Sequence, residues 1–257
     1  MFDRLKGKLI ARKAYALHVQ GNQLIEKQEV EKAREKHLQA LDAYEKACAA
    51  GDCDPAFLRA YAVLLMRFDR CEEARKLFLE CEKKLGNDPK ARKELRINFA
   101  VCQWKLGQLD NAIENMEAAA SNGMNAMIYT TLGFFYIDKA RQTGDFTKAI
   151  EFNNKAMEYD EEDAGILDNM GQMYYAMGES DKAYDYFAKA YQTKPTQVAS
   201  MYYIAKINLE RGNLEKAEAF VDACAGGNFS ALATVTPAQV EALKAEIQAA
   251  KNATGAN

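Results

Sequence analysis

Two histidines, His18 and His37, and six cysteines, Cys48, Cys53, Cys71, Cys81, Cys102 and Cys224, are the side chains of this 257-residue chain best suited to hold a transition metal or attack an electrophile. Their spacing supports neither use. Zinc sites draw ligands from closely spaced Cys and His pairs, and no CxxC pair or matching Cys or carboxylate accompanies either histidine. His37 falls on the bulky packing position of a helix, a structural place. Cysteines so scattered suit reduced thiols in the cytoplasm better than a disulfide framework. The acidic run Glu158, Asp160, Glu161, Glu162, Asp163 lacks the alternation and central glycine of a calcium loop. It reads as a solvated junction whose acids favour the next helix N-terminus. No glycine-rich phosphate loop follows a strand pattern. Asn228-Phe229-Ser230 and Asn252-Ala253-Thr254 match glycosylation acceptors but carry no weight without a secretory signal. The expectation is of a chain that is not an enzyme and uses no metal or cofactor.

Bulk properties narrow the remaining classes. About half the residues are apolar, net charge is −3, and four prolines with fifteen glycines leave little room for a linker. A weakly acidic chain has no basic footprint for nucleic acid. No run approaches the roughly 18 apolar residues of a membrane span. The start, MFDRLKGKLI, lacks the apolar core and cleavage site of a secretory signal. Within residues 1–13, Phe2, Leu5, Leu9 and Ile10 share a helical face while Arg4, Lys6, Lys8, Arg12 and Lys13 crowd the rest. This basic amphipathic lead-in either packs on the first helix pair or makes weak peripheral contact with an anionic membrane.

The elements that would position any site are helices in pairs. Residues 164–197, AGILDNMGQMYYAMGESDKAYDYFAKAYQTKPTQ, contain the clearest pair, with Leu167, Met170, Gly171 and Tyr174 on one helix and Ala183, Phe187 and Ala190 on the next. Aligned copies supply Gly21, Ala62, Ala100, Gly133, Gly171 and Ala205 at one small position. Ala33, Ala74, Ala112, Ala149, Ala183 and Ala217 fill a second; Ala40, Cys81, Ala119, Ala156, Ala190 and Cys224 fill a third. All eighteen are Ala, Gly or Cys, types that make up about a quarter of the chain. Small residues let paired helices pack at the short end of the usual separation. Asp54-Pro55 and Asp88-Pro89 read as N-cap and first helical residue. The stretch IDKARQTGDF adds four residues between Gly133 and Ala149, one extra turn on a first helix. Thr236-Pro237-Ala238-Gln239 reads as a capping box opening a last helix over 237–251.

This spacing resembles the tetratricopeptide repeat, a helix-turn-helix of about 34 residues. The resemblance covers residues 14–231, as repeats over 14–47, 55–88, 93–126, 126–163, 164–197 and 198–231, followed by a loop, capping helix and tail over 232–257. It implies an all-α, right-handed superhelical solenoid with a C-terminal capping helix. It further implies a non-catalytic, cytoplasmic interaction module whose first helices line a concave groove for a peptide segment of a partner protein. Register places His18 and Asn22, Arg59 and Arg67, Asn98 and Val101, Thr130 and Phe134, Asp168 and Gln172, and Tyr202 and Lys206 toward that groove, with Trp104 and Tyr175 beside it. Phe134 and Tyr202 are expected to expose their rings there, while Trp104 divides evenly between packing and exposure. The chaperone-tail clamp of some family members is not expected. Asn22 matches its first Asn, but His18, Ala60, Glu94 and Asn98 replace its other four residues. A self-associating or membrane-peripheral scaffold using residues 1–13 is the alternative.

Overall fold

The structure, a computed structural model, describes residues 2–51, 54–225, 227, 229 and 233–255, and the side chains of all of these except 2–6, 225, 254 and 255. Every described regular element is an α-helix. The chain divides into two compact units, Met1–Gly123 and Met124–Asn257. Unit 1 holds α1 (Phe2–Glu26), α2 (Val30–Ala49), α3 (Pro55–Arg67), α4 (Cys71–Lys84), α5 (Pro89–Lys105) and α6 (Leu109–Ala120). Unit 2 holds α7 (Ala126–Thr143), α8 (Thr147–Tyr159), α9 (Ala164–Ala176), α10 (Ser180–Thr193), α11 (Val198–Glu210), α12 (Leu214–Ala225) and α13 (Pro237–Gly255). Within each unit every helix packs on the next, and odd-numbered helices also pack on one another: α1 on α3, α3 on α5, α7 on α9, α9 on α11 and α11 on α13. Each unit therefore has an odd-helix layer and an even-helix layer, an all-helical repeat architecture.

The small residues do what their spacing requires. The eighteen Ala, Gly and Cys residues at the three register positions are buried, and four residues after each second small position stands a buried filler: His37, Phe78, Met116, Asn153, Phe187 or Val221. Where the filler presses hardest the first small position is glycine. A Cβ on Gly21 would lie 2.3 Å from His37 Cδ2, one on Gly133 2.5 Å from Asn153 Oδ1, and one on Gly171 2.7 Å from the Phe187 ring. Cysteine at the third position has its own use, since Cys81 donates its S–H to Pro55 O and Cys224 to Val198 O, both at 3.2 Å.

Helix ends follow local chemistry. Asp54 Oδ1 accepts from Ala56 N at 2.9 Å, and Asp88 Oδ1 from Lys90 N and Ala91 N, each ahead of a proline at the first turn. Asp163, last of the acidic run, caps α9 by accepting from Gly165 N and Ile166 N. Inter-helix turns need one left-handed residue. Gly107, Gly144, Gly178 and Gly212 supply it in four pairs, but Gln28 (φ 61°) and Asp69 (φ 55°) supply it in the first two. The extra turn in the fourth pair is present: α7 has 18 residues against 13 for α9 and α11.

The lead-in segment differs from expectation. It is not a separate helix, because α1 runs unbroken from Phe2 to Glu26. Nothing in Arg12-Lys13-Ala14 stops a helix, and Gly7, Ala11 and Ala14 are buried, with a Cβ on Gly7 falling 3.2 Å from Ala50 Cβ of the α2 C-cap. Leu9 of the expected apolar face is 61% exposed; the side chains of Phe2, Arg4, Leu5 and Lys6 lie outside the described residues, as do Asp52, Cys53, Asn228 and Ser230. No helix among the described residues is long and apolar enough to cross a membrane.

Candidate functional site

The odd-helix faces of the two units present different chemistry. In unit 1 three of the polar side chains placed there by register, Asn22, Arg59 and Asn98, are bonded to neighbours, whereas His18 Nδ1 and Arg67 Nη1 are buried without a hydrogen-bond partner among the described residues. Asn22 Oδ1 meets His37 Nε2 at 3.1 Å. Arg59 forms a 2.6 Å ion pair with Glu94, whose backbone carbonyl accepts from Asn98 Nδ2 at 2.9 Å. Glu94, the residue that reverses the clamp charge, is thus the counter-ion of Arg59. Val101 does not line an open groove; at 1% exposure it is core. Trp104 is half-buried with Lys105 Nζ 6.0 Å from its ring centre. The slot beside it is filled by buried Gln103, whose Oε1 accepts from Asn115 Nδ2 at 2.8 Å.

His18 and His37 form a buried T-shaped pair, ring centres 5.6 Å apart, with Tyr44 on the other side of His18 at 6.2 Å. Burial lowers both imidazoles to about 4; for His18 the His37 and Arg67 charges add to this, and for His37 the Arg67 charge does. Both imidazoles are buried and packed against rings. Among the described residues no three His, Cys, Asp or Glu side chains gather to hold a metal. Cys71, Cys81, Cys102 and Cys224 are buried free thiols, and burial pushes Cys102 and Cys224 up to about 12, where the nucleophilic thiolate is negligible at neutral pH. Cys48 departs from the expectation of reduced thiols, since it is disulfide-bonded.

Unit 2 carries a connected network. Asp168 of α9 accepts from Ser200 Oγ of α11 at 2.6 Å and from Gln172 Nε2 at 2.7 Å. Arg141 of α7 donates to Gln172 Oε1 at 3.2 Å and to the Tyr203 hydroxyl at 3.4 Å. Three successive odd helices are joined by these bonds. Burial pushes the Asp168 carboxyl above its usual range, while the bonds from Ser200 and Gln172 pull it back. With both oxygens occupied and the residue buried, Asp168 is no general base for a substrate. Beside the network lies an open cleft of about 460 Å³, lined by Arg141, Tyr175, Tyr202, Tyr203, Lys206 and Gln239 among others. Lys206 Nζ stands 5.4 Å from the Tyr175 ring centre, whose hydroxyl donates to Glu210 Oε1. Tyr203 stacks flat on Phe187 at 4.8 Å, which fixes its hydroxyl toward Arg141.

Of the residues register assigned to the groove, Asp168, Gln172, Tyr202 and Lys206 come together here with Tyr175. Thr130 does not join them: its hydroxyl donates back to Ala126 O and Met127 O. Phe134 and Tyr202 do not expose their rings, with 6% and 9% exposure. For Tyr202 the cause is plain, because Val235, Val240, Leu243 and Ile247 of the C-terminal segment close over it. Register reasoning missed Arg141, Ser200 and Tyr203. The inserted turn was the available signal for Arg141, since it carries α7 far enough to reach Gln172.

Within each unit, two layers of repeated helix pairs define a helical-repeat scaffold. Residues 169–231 and 94–122 each match a tetratricopeptide repeat model, one in each unit. The chain therefore carries tetratricopeptide repeats in both matched segments. A segment of 124 residues is 28% identical to the BBSome complex member BBS4 of Bos taurus, covering 48% of this chain and 23% of that protein. The match thus spans about a quarter of that relative's length. Among solved structures, a thermophilic TPR protein of Thermus thermophilus superposes with a TM-score of 0.62 at 22% identity over 76% of this chain and 100% of that one. The C-terminal part of a TPR repeat-containing protein of Cytophaga hutchinsonii gives 0.51 at 20% identity over 80% and 77%. These likenesses are of fold.

Proposed function

We propose that the chain is a non-catalytic interaction module and that the odd-helix face of unit 2 holds an extended peptide segment of a partner protein. The cleft between Arg141, Tyr175, Tyr203 and Lys206 carries this reading. It combines two cations with aromatic walls, a mixture that anchors a partner's side chains. At about 460 Å³ it accommodates one or two side chains rather than a whole helix. The unit 1 face supports the reading less, because Asn22, Arg59 and Asn98 are bonded within the unit and Val101 is buried. Burial of Gly7, Ala11 and Ala14 against α2 favours packing over membrane contact for the N-terminal segment.

The test is affinity capture with the wild-type chain beside an Arg141→Ala/Lys206→Ala variant, folding checked by circular dichroism. Both cations are at least partly exposed, so the variant keeps its core. A partner captured by wild type and lost by the variant is expected. Every captured protein being retained by the folded variant refutes the unit 2 assignment.

A further inference from the structure

Residues 233–235, just ahead of α13, lie against the repeats. Thr234 Oγ1 accepts from Gln172 Nε2 of α9 at 3.2 Å, so the chain crosses the odd-helix face over α11 before α13 begins. Val235 is buried in one cluster with Val198, Met201 and Tyr202 of α11 and with Val240, Leu243 and Ile247 of α13. Gln239, one turn further, lines the open cleft.

What holds this crossing differs from what holds α13. The helix is secured by its capping box, in which Thr236 N donates to Gln239 Oε1 at 2.8 Å and Gln239 N to Thr236 Oγ1 at 3.3 Å. It is secured again by Lys244–Asp222 and Lys251–Glu218 ion pairs at 2.6 Å and by its buried Val240, Leu243 and Ile247. Residues 233–235 have one side-chain hydrogen bond and one buried side chain, and among the described residues no backbone hydrogen bond ties them to a helix. The strap of residues 233–235 is thus held by fewer bonds than α13.

Gln172 defines what can replace the strap. Its amide oxygen accepts from Arg141, one N–H serves Asp168, and the other serves Thr234. Removing the Thr234 hydroxyl without replacement leaves a buried donor unpaired, a cost that rejects ligands lacking an acceptor at that point. A β-branched residue one position on fills the Val235 place with little rotamer entropy to lose. We infer that Ala233–Val235 is an internal ligand of the unit 2 face, and that the face takes in trans an extended segment carrying a hydroxyl residue followed by a β-branched aliphatic one. This rests on the reading of that face as a peptide site. The tether gives the strap a high effective concentration. A partner segment therefore wins only by adding contacts in the adjacent cleft, where Arg141 and Lys206 stand open.

The probe is a fluorescein-labelled synthetic peptide of this chain's residues 233–241, titrated by anisotropy against full-length protein. Three proteins are compared: wild type, Thr234→Ala, which leaves Val235 in the core, and Thr234→Ala/Val235→Ala. Freeing the face should tighten peptide binding by at least about ten-fold in the double variant and by less in the single one. A peptide with valine for its Thr234 should bind at least about ten-fold more weakly than the native peptide. Equal affinity for wild type and both variants, or no binding to either variant up to about 1 mM, overturns the inference. So does indifference to the hydroxyl. Should a captured partner bind wild type and strap variants alike yet be lost by Arg141→Ala/Lys206→Ala, the peptide-site reading stands and the strap inference falls. Retention by Arg141→Ala/Lys206→Ala removes the reading itself.

Discussion

Gly171→Ala sets two effects of opposite sign against each other, and the structure decides between them. In an isolated helix the change is favourable by about 1 kcal/mol, because glycine has the greater backbone entropy to lose. Here the new Cβ would lie 2.7 Å from Phe187 Cδ1 and Cε1 and 2.9 Å from its Cγ. Relief requires the ring to move, but Phe187 is fully buried and stacked on Tyr203 at 4.8 Å with planes 2° apart. Overpacking of this kind costs about 1–3 kcal/mol, and a close approach to three atoms of an immobile ring belongs in the upper half of that range. The net expectation is destabilisation by about 1–2 kcal/mol, the overpacking cost less the propensity gain. The second pair carries Ala62 and Phe78 at the same register positions, so the clash belongs to the close approach of α9 and α10 and not to the residue types.

Urea denaturation followed by far-ultraviolet circular dichroism measures the difference, and a cycle with Phe187→Leu isolates the contact. Leucine removes the ring edge that the methyl would strike, so the double variant should be more stable than the sum of the singles by about 1 kcal/mol. Gly171→Ala alone proving neutral, or stabilising by the roughly 1 kcal/mol of helix propensity, would show that Phe187 yields freely and that the reasoning is wrong.

Unit 1 should lose stability as pH falls from about 6.5 toward 4, the interval between the unfolded and folded values of His18 and His37. The folded chain binds fewer protons there, so acid favours unfolding, by at most about 1.4 kcal/mol per pH unit for each histidine. Trp104, the one tryptophan, lies in unit 1 and reports it by fluorescence; identical urea midpoints at pH 7.5 and 5.0 contradict the expectation. Gln28→Gly relieves a left-handed backbone, φ 61°, at a position that four other pairs give to glycine. It should stabilise by about 0.5–1 kcal/mol, and an unchanged or lower urea midpoint counts against the strain.

The repeat was legible because its physics is local and periodic. Ala183 must be small for the same reason as Ala149 and Ala217, and three residue classes at fixed spacing leave a pattern no other feature obscures. The fillers were partly legible: His37 was placed as packing from its register, and the glycine opposite it at position 21 was the corroborating sign. The candidate site was harder. Register says which way a side chain leaves its helix and nothing about what later covers it. Tyr202 leaves α11 toward the expected face, yet Val235 and Leu243 arrive from beyond the last repeat and bury it. The stretch AGGNFSALATV loses its helical period in the sequence, but the bond that Thr234 within it makes to Gln172 did not follow from any spacing.

Small-residue packing explains why the helices of a pair approach closely, but it is alike in every pair and so cannot by itself make one face of the array unlike another. The Arg141–Gln172–Asp168–Ser200 network does. It buries a carboxylate, which carries a desolvation cost that an apolar contact would avoid, and it offsets that cost only while α7, α9 and α11 keep the geometry that brings all four side chains together. Arg141 joins because α7 has its extra turn, and Gln172 keeps both amide hydrogens bonded because the strap offers Thr234. A partner that displaces the strap must therefore satisfy Gln172 in the same way, which makes the most costly group on this face also the most selective one.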